Sequence, residues 1–186
     1  FYLTSIFQDL ATSDSLTLNY TILNPDLYNI QKPKPTLGNF TIEERENSYR
    51  KELNYLKKLA TFEYSLLTNE QQICYDQIKS DFTLDCKYAD YMLYYEILGP
   101  TTGIQAQLPI LLAEYNLNSK EDLKDYLALL QDLPRYFHQI CDFEILKSKA
   151  GLFMSDDVAL QIMNQCNAFI EQPDLNYLIA VVNEKI

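Results

Sequence analysis

The sequence predicts an all-α fold: an irregular array of about seven helices in one domain over residues 1–186, with one short extended segment near residues 16–23. Three observations predict it. Apolar residues recur at three- and four-residue intervals along most of the chain. Hydroxyl and carboxylate capping residues stand at the head of several of these runs. Glycine, a helix breaker, occurs only four times in 186 residues.

Taken in order, residues 2–11 set Leu3, Ile6, Phe7 and Leu10 at helical spacing, and Ser13 and Asp14 then offer a cap or a turn. Leu16, Leu18, Tyr20 and Ile22 alternate with polar residues, which is the period of a strand. Asn24-Pro25 ends that run and no partner strand is evident, so an extended segment laid over helices fits as well as a true strand. Residues 29–40, NIQKPKPTLGNF, read as a linker or loop, because Pro33 and Pro35 favour extended backbone and Gly38 interrupts regular structure. They are the best candidate for a mobile segment in the first third.

Thr41-Ile-Glu-Glu44 has the capping-box pattern, and the helix after it carries Tyr49, Leu53, Leu56 and Ala60 on one face. Thr68-Asn-Glu-Gln71 repeats the signal and opens a long helix through Cys74, Ile78 and Phe82. That helix becomes tyrosine-rich at Tyr88, Tyr91, Tyr94 and Tyr95 and ends before Gly99-Pro100. Ser119 with Asp122 starts another helix, and Pro134 suits the first turn of the next, which runs to Ala150 with Gly151 in a left-handed C-terminal position. Ser155-Asp-Asp157 starts a helix through Val158, Ile162, Cys166 and Phe169 that Pro173 stops. The last segment places Leu175, Leu178, Ile179 and Val182 on one face and ends at Ile186 in mid-pattern, while the chain starts at Phe1 without a methionine. The start is expected to be processed or engineered, and the end to be a truncation of a longer protein.

Composition narrows the partners. Fifteen basic against 26 acidic residues give a net charge of −11, which argues against nucleic acid and against docking on anionic lipid. Cys74, Cys86, Cys141 and Cys166 show no metal-binding spacing and read as free, buried thiols, with a disulfide or reactive thiol as the alternative. The single histidine, His138, has no HExxH around it and reads as structural, so no metal ligand is assigned. The carboxylate pairs Glu43/Glu44, Glu121/Asp122 and Asp156/Asp157 stand at helix starts, where they oppose the positive end of the helix dipole. There is no GxSxG nucleophile, Cys141 and His138 lack a third orienting group, and GPTTG lacks the lysine and preceding strand of a phosphate loop. No catalytic residue is assigned.

Two features remain. Fifteen tyrosines and no tryptophan form a skewed aromatic set, in which Tyr94 and Tyr95 could line a cleft with an apolar ring and a polar tip, or be buried with their hydroxyls satisfied. The stretch GPTTGIQAQLPILLAEY, residues 99–115, holds two of the four glycines and two of the seven prolines. Thr101, Thr102 and Gly103 can present hydroxyls and bare backbone to a ligand, with Gln105 and Gln107 beside them. Pro109 marks either the first turn of a helix or a kink. By chemistry alone the stretch is as well read as a tight inter-helix corner as a binding site.

TTGIQAQLPILLAEY and the adjoining KEDLKDYLALLQDLPRYFHQICDFEILKSKAGLFMSDD closely resemble the bacterial family known as domain of unknown function 885, as do QIMNQCNAFI, NYLIAVVNEKI, LTLNYTILNP and LTNEQQICYD. The resemblance covers most of the chain. It implies an exported or lipid-anchored bacterial protein, longer than this chain, with a largely helical architecture like that of zincin-type metallopeptidases. The HExxH-like zinc motif it implies has no matching position in these residues, so zinc is expected in the full-length parent and no ligand carries over. The TTGIQAQLP block does carry over, and is expected to line a substrate cleft through Thr101, Thr102, Gly103, Gln105 and Gln107, with Tyr94 and Tyr95 as cleft wall. The expected partners are a peptide substrate, the missing C-terminal half and, through the face that half would cover, a second copy. The alternative is a non-catalytic interaction module that docks through its tyrosine-rich acidic surface.

Overall fold

The computed structural model describes residues 2–173 and 176–185. Among them the fold is all-helical, with eight α-helices and three short 3₁₀ turns and no strand. The helices are α1 (Tyr2–Ala11), α2 (Ser15–Thr21), α3 (Ile42–Leu59), α4 (Asn69–Lys87), α5 (Ile104–Glu114), α6 (Lys120–Lys149), α7 (Asp156–Ile170) and α8 (Tyr177–Lys185). Phe1, Leu175 and Ile186, named in the reading of the chain ends, lie outside the described residues.

Helix α6 is the axis of the fold. Its inward stripe runs Asp122, Tyr126, Leu129, Leu133, Tyr136, Ile140, Phe143 and Lys147, steps of three and four that keep one face on the core. Its first half packs on Leu16, Leu37, Leu108, Leu112 and Tyr115, and its second half on Phe40 and Ile97. A smaller cluster of Ala11, Leu18, Ile22 and Ile30 lies beside α2.

The helix starts obey the predicted capping chemistry. Thr68 and Gln71 form a complete capping box, whereas Thr41 caps Glu44 N–H without the reciprocal bond. Ser119 and Ser155 accept from the N–H groups of Asp122 and Val158. Gly151 succeeds α6 in the left-handed region at φ 75°, as its place after Ala150 predicts.

Several expectations are corrected. Residues 16–21 are not extended: residues 15–21 form α2, started by Asp14, whose carboxylate accepts from Thr17 N–H at 2.8 Å and from its hydroxyl at 2.7 Å, and of the predicted segment the C-cap Ile22 has extended backbone. Leu16 faces the α5–α6 core while Leu18 and Ile22 face the smaller cluster. A helix buried on two sides shows apolar residues on both, and that imitates alternation. Pro134 does not open a new helix but lies inside the 30-residue α6, whose continuous buried stripe outweighs the bond lost at Leu130 C=O. Helix α4 ends at Lys87, and Ala89–Tyr94 continue as a 3₁₀ turn. Nor are the thiols buried: Cys74, Cys141 and Cys166 are exposed and Cys86 is half-buried, all of them free. Cys74 is outside because α4 faces inward through Tyr75 and Phe82.

The 29–40 segment is tied down rather than loose. Asp132 Oδ2 accepts from Leu37 N–H at 2.9 Å, Arg135 donates to Gly38 C=O at 2.6 Å and to Asn39 Oδ1 at 2.8 Å, and Gln139 Oε1 accepts from Phe40 N–H at 2.8 Å. One polar edge of α6 therefore holds the backbone of a segment that its prolines and glycine mark as irregular.

Candidate functional site

The stretch 95–107 crosses the fold as an irregular run that turns into α5. Its turn is closed by the backbone: Gly103 N–H donates to Gly99 C=O at 3.1 Å and Ile104 N–H to Ile97 C=O at 2.9 Å. Gly103 has an ordinary φ of −66°. It is glycine for space, because a Cβ there would overlap Gly99 N, Gly99 O and Gln105 Oε1.

The glutamines brace this corner. Gln105 Nε2 donates to Gly99 C=O at 2.6 Å and to Gln165 Oε1 at 3.1 Å, and Gln105 Oε1 accepts from Gly99 N–H at 3.4 Å. Gln165 on α7 returns a bond to Pro100 C=O at 2.6 Å, so the corner is stitched to α7. Gln107 Nε2 donates to Thr101 C=O at 3.3 Å. Both amide protons of Gln105 are thus engaged within the protein. Thr101 and Thr102 are exposed at the tip, and Gly103 is buried.

The tyrosines point elsewhere. Ala89–Tyr94 is a 3₁₀ turn, whose three-residue period brings i and i+3 side chains into line. Tyr88, Tyr91 and Tyr94 accordingly form an exposed row with ring centroids 6.2 and 6.1 Å apart. Tyr95 turns the other way: the Arg45 guanidinium sits 4.5 Å above its ring, and Phe40 lies 6.2 Å from it. The predicted residues therefore divide into exposed groups (Thr101, Thr102, Tyr94), an exposed ring stacked under Arg45 (Tyr95), bracing amides (Gln105, Gln107) and a steric gap (Gly103).

A charged cluster that the sequence reading missed supports the same run. Lys147 is fully buried; its Nζ lies 2.7 Å from Glu96 Oε2 and donates to Tyr95 C=O at 3.0 Å. Glu144 is buried one turn earlier, 3.9 Å from Lys147 Nζ, and neither of its carboxylate oxygens has a hydrogen-bond partner. Burial raises the Glu144 pKa, the Lys147 charge opposes that shift, and the Glu96 charge adds to it. A signal was present: Lys147 occupies the next inward position after Ile140 and Phe143, where a charged residue is out of place.

Among the described residues no three His, Cys, Asp or Glu side chains converge to hold a metal ion. His138 is exposed and lies 3.9 Å from Asp142. No helix among the described residues is long and apolar enough to cross a membrane. No family model matches this chain, and neither does any curated protein or solved structure. The metallopeptidase-like resemblance therefore rests on the quoted residues alone.

Proposed function

We propose that this chain is the helical portion of a metallopeptidase-like, exported bacterial protein, and that it lends a wall to a substrate cleft while the zinc is held elsewhere in the full-length parent. The observation that carries this reading is the uncovered apolar stripe of α7. That helix buries only Ile162 and leaves Leu160, Met163 and Ile170 56%, 60% and 65% exposed. These three side chains fall within about 80° of one another around the helix. An apolar face of this kind marks a surface covered in the working protein. In this reading the rest of the parent covers it, and in the isolated chain a second copy does so.

The 99–107 corner fits the role of wall. Its bracing by Gln105, Gln107 and Gln165 holds Thr101 and Thr102 in place before a peptide arrives, which lowers the ordering cost of binding. Thr101 and Thr102 then meet the peptide directly, and Gln105, Gln107 and Gly103 act through the shape they maintain. Tyr94 adds an exposed ring beside them in sequence.

The test compares the full-length product of the reading frame with the 186-residue chain. Zinc content and hydrolysis of a fluorogenic peptide set are expected in the former and not in the latter. In the full-length protein, Thr101→Val with Thr102→Val is expected to lower kcat/KM about tenfold at unchanged thermal stability. Stoichiometric zinc on this chain alone, or an unchanged kcat/KM, overturns the reading.

The exposed Tyr88–Tyr91–Tyr94 row favours a second reading, a non-catalytic module that docks a partner on tyrosine side chains. The reading frame beyond Ile186 separates the two: an HExxH-type sequence supports the peptidase, and a stop codon or unrelated domain supports the module.

A further inference from the structure

One buried ammonium faces two carboxylates beside the start of the 95–107 run. Lys147 is fully buried on the inward stripe of α6. Its Nζ lies 2.7 Å from Glu96 Oε2 and donates to Tyr95 C=O at 3.0 Å. Both acceptors belong to the irregular residues that lead into the corner, so this side chain ties them to α6. Beyond them the run is held by its own backbone, with Ile104 N–H donating to Ile97 C=O at 2.9 Å.

Glu144 is the second carboxylate. It is 6% exposed, its Oε1 lies 3.9 Å from Lys147 Nζ, beyond hydrogen-bond reach, and neither oxygen has a hydrogen-bond partner among the described residues. The charged groups acting on it are Lys147, one turn along the same helix, and Glu96 on the facing run. Arg45 of α3 is stacked 4.5 Å over the Tyr95 ring and, among the described residues, pairs with neither carboxylate.

The two carboxylates differ in their access to water. The Glu96 side chain is 56% exposed, so water solvates it when the ammonium leaves. Glu144 has no such access, and its ionised form has Lys147 alone to balance it. A movement of about 1 Å brings Nζ from 3.9 Å into the range of a charge-assisted hydrogen bond to Glu144. The same ammonium charge then no longer holds Glu96 and Tyr95 C=O as it did.

We propose that Glu144, Lys147 and Glu96 form a proton-operated latch on the 95–99 run. With Glu144 neutral, the ammonium holds Glu96 and Tyr95 C=O. When Glu144 releases its proton to solvent, the ammonium turns to the buried carboxylate and the run loosens. Burial raises the Glu144 pKa above its ordinary 4.5, with the Lys147 charge opposing and the Glu96 charge adding, so the change falls above that value. The latch is therefore closed in acid and looser toward neutral pH. An ordinary surface pair between Lys147 and Glu96 has the reverse sign, because acid weakens it by protonating Glu96. The proposal concerns how the corner is held and does not depend on the peptidase reading.

Amide hydrogen exchange of the chain from about pH 5 to about pH 8, corrected for intrinsic exchange rates, tests it. The reporters are Ile104 and Gly103, whose N–H groups bond Ile97 and Gly99 C=O. Leu129, fully buried in the first half of α6, reports opening of the whole chain. Reporter protection is expected to fall about tenfold as pH rises and to lie below that of Leu129 at the upper end. Glu144→Gln, which cannot ionise, is expected to keep the acid-side protection throughout. Glu96→Gln, which weakens the surface partner, is expected to lower reporter protection already at about pH 5. If Glu144→Gln fails to fold, Glu144→Leu replaces it with the same expectation. The proposal is overturned by reporter protection that is flat or rises with pH, or by an equal fall in the wild type and the Glu144 variant. It is equally overturned if the reporters match Leu129 throughout, since the corner then opens only with the whole chain, or if Glu96→Gln leaves them unchanged.

Discussion

Gly103 and Gly99 approach so closely that a methyl group cannot be placed between them: a Cβ on Gly103 would overlap both the nitrogen and the carbonyl oxygen of Gly99. The contact fixes where α5 begins, since Gly103 is its N-cap and carries no side-chain cap of its own. Gly103→Ala must push the 97–99 backbone off Ile104 N–H and Gln105. A loss of about 1–3 kcal/mol or more is expected in urea unfolding. Gly99→Ala serves as the control, because a Cβ there meets nothing nearer than Gly103 N at 3.7 Å, and its effect should stay within about 0.5 kcal/mol. Equal losses at the two positions would contradict a directional clash.

Among the described residues the bond between Gln105 and Gln165 is the only side-chain hydrogen bond between α5 and α7. Gln105→Ala, Gln165→Ala and the double variant form a thermodynamic cycle, and a coupling energy of about 0.5–1.5 kcal/mol is expected. Additive losses would mean that the two amides brace the corner independently. If Gln105 served a ligand alone, its substitution would leave the unfolding midpoint of the free chain unmoved.

Much of this fold was legible because helix starts are written locally. Thr68, Ser119 and Ser155 each cap the helix that their neighbours predict. The features that the sequence hid depend on who packs against whom. Leu16 and Leu18 serve two different clusters, so α2 imitates a strand, and Pro134 reads as a boundary only while the stripe from Asp122 to Lys147 goes unnoticed. The corner at 99–107 was visible as unusual, yet Gln105 could not be assigned between bracing and binding without knowing that Gln165, sixty residues away, faces it. The Glu144–Lys147 pair was half-legible: the stripe puts Lys147 at an inward step after Ile140 and Phe143, but only once α6 is followed unbroken through Pro134.

Asp132 gathers a segment that local chemistry would leave loose. Its carboxylate accepts from Leu37 N–H and pairs with Arg135 at 2.6 Å, while Arg135 holds Gly38 and Asn39. Asp132→Ala is expected to cost about 1–3 kcal/mol and to speed amide hydrogen exchange at residues 37–40 ahead of the rest of the chain. The Arg135 guanidinium, helped by Leu37 N–H, holds the Asp132 carboxyl below its ordinary 3.8. A carboxyl with a lowered folded pKa binds fewer protons folded than unfolded through that window. Its contribution is therefore present above about pH 3.8 and is lost as pH falls below it. The Asp132→Ala chain should lack that acid-dependent component, and unfolding from pH 6 to the acid limit of the native state, at steps of about one pH unit, checks it.

Glu144 predicts the opposite slope. Burial raises its pKa, with the Lys147 charge opposing and the Glu96 charge adding. Between its ordinary value of 4.5 and its raised folded value, the folded chain holds more protons at this site than the unfolded chain. The contribution of Glu144 to stability is then fully present below about pH 4.5 and declines as pH rises through the folded pKa. Glu144→Gln, which cannot ionise, should therefore gain on the wild type as pH increases from 4.5 toward neutrality. A stability difference that stays flat over this range would show that Glu144 reaches water in the folded state. Lys147→Met provides the companion test. It removes the cation from a fully buried position and leaves Glu144 buried without it, for which a loss of about 3 kcal/mol or more is expected. In the double variant Glu144→Gln with Lys147→Met the loss should be smaller than in Lys147→Met alone, because no uncompensated buried charge remains.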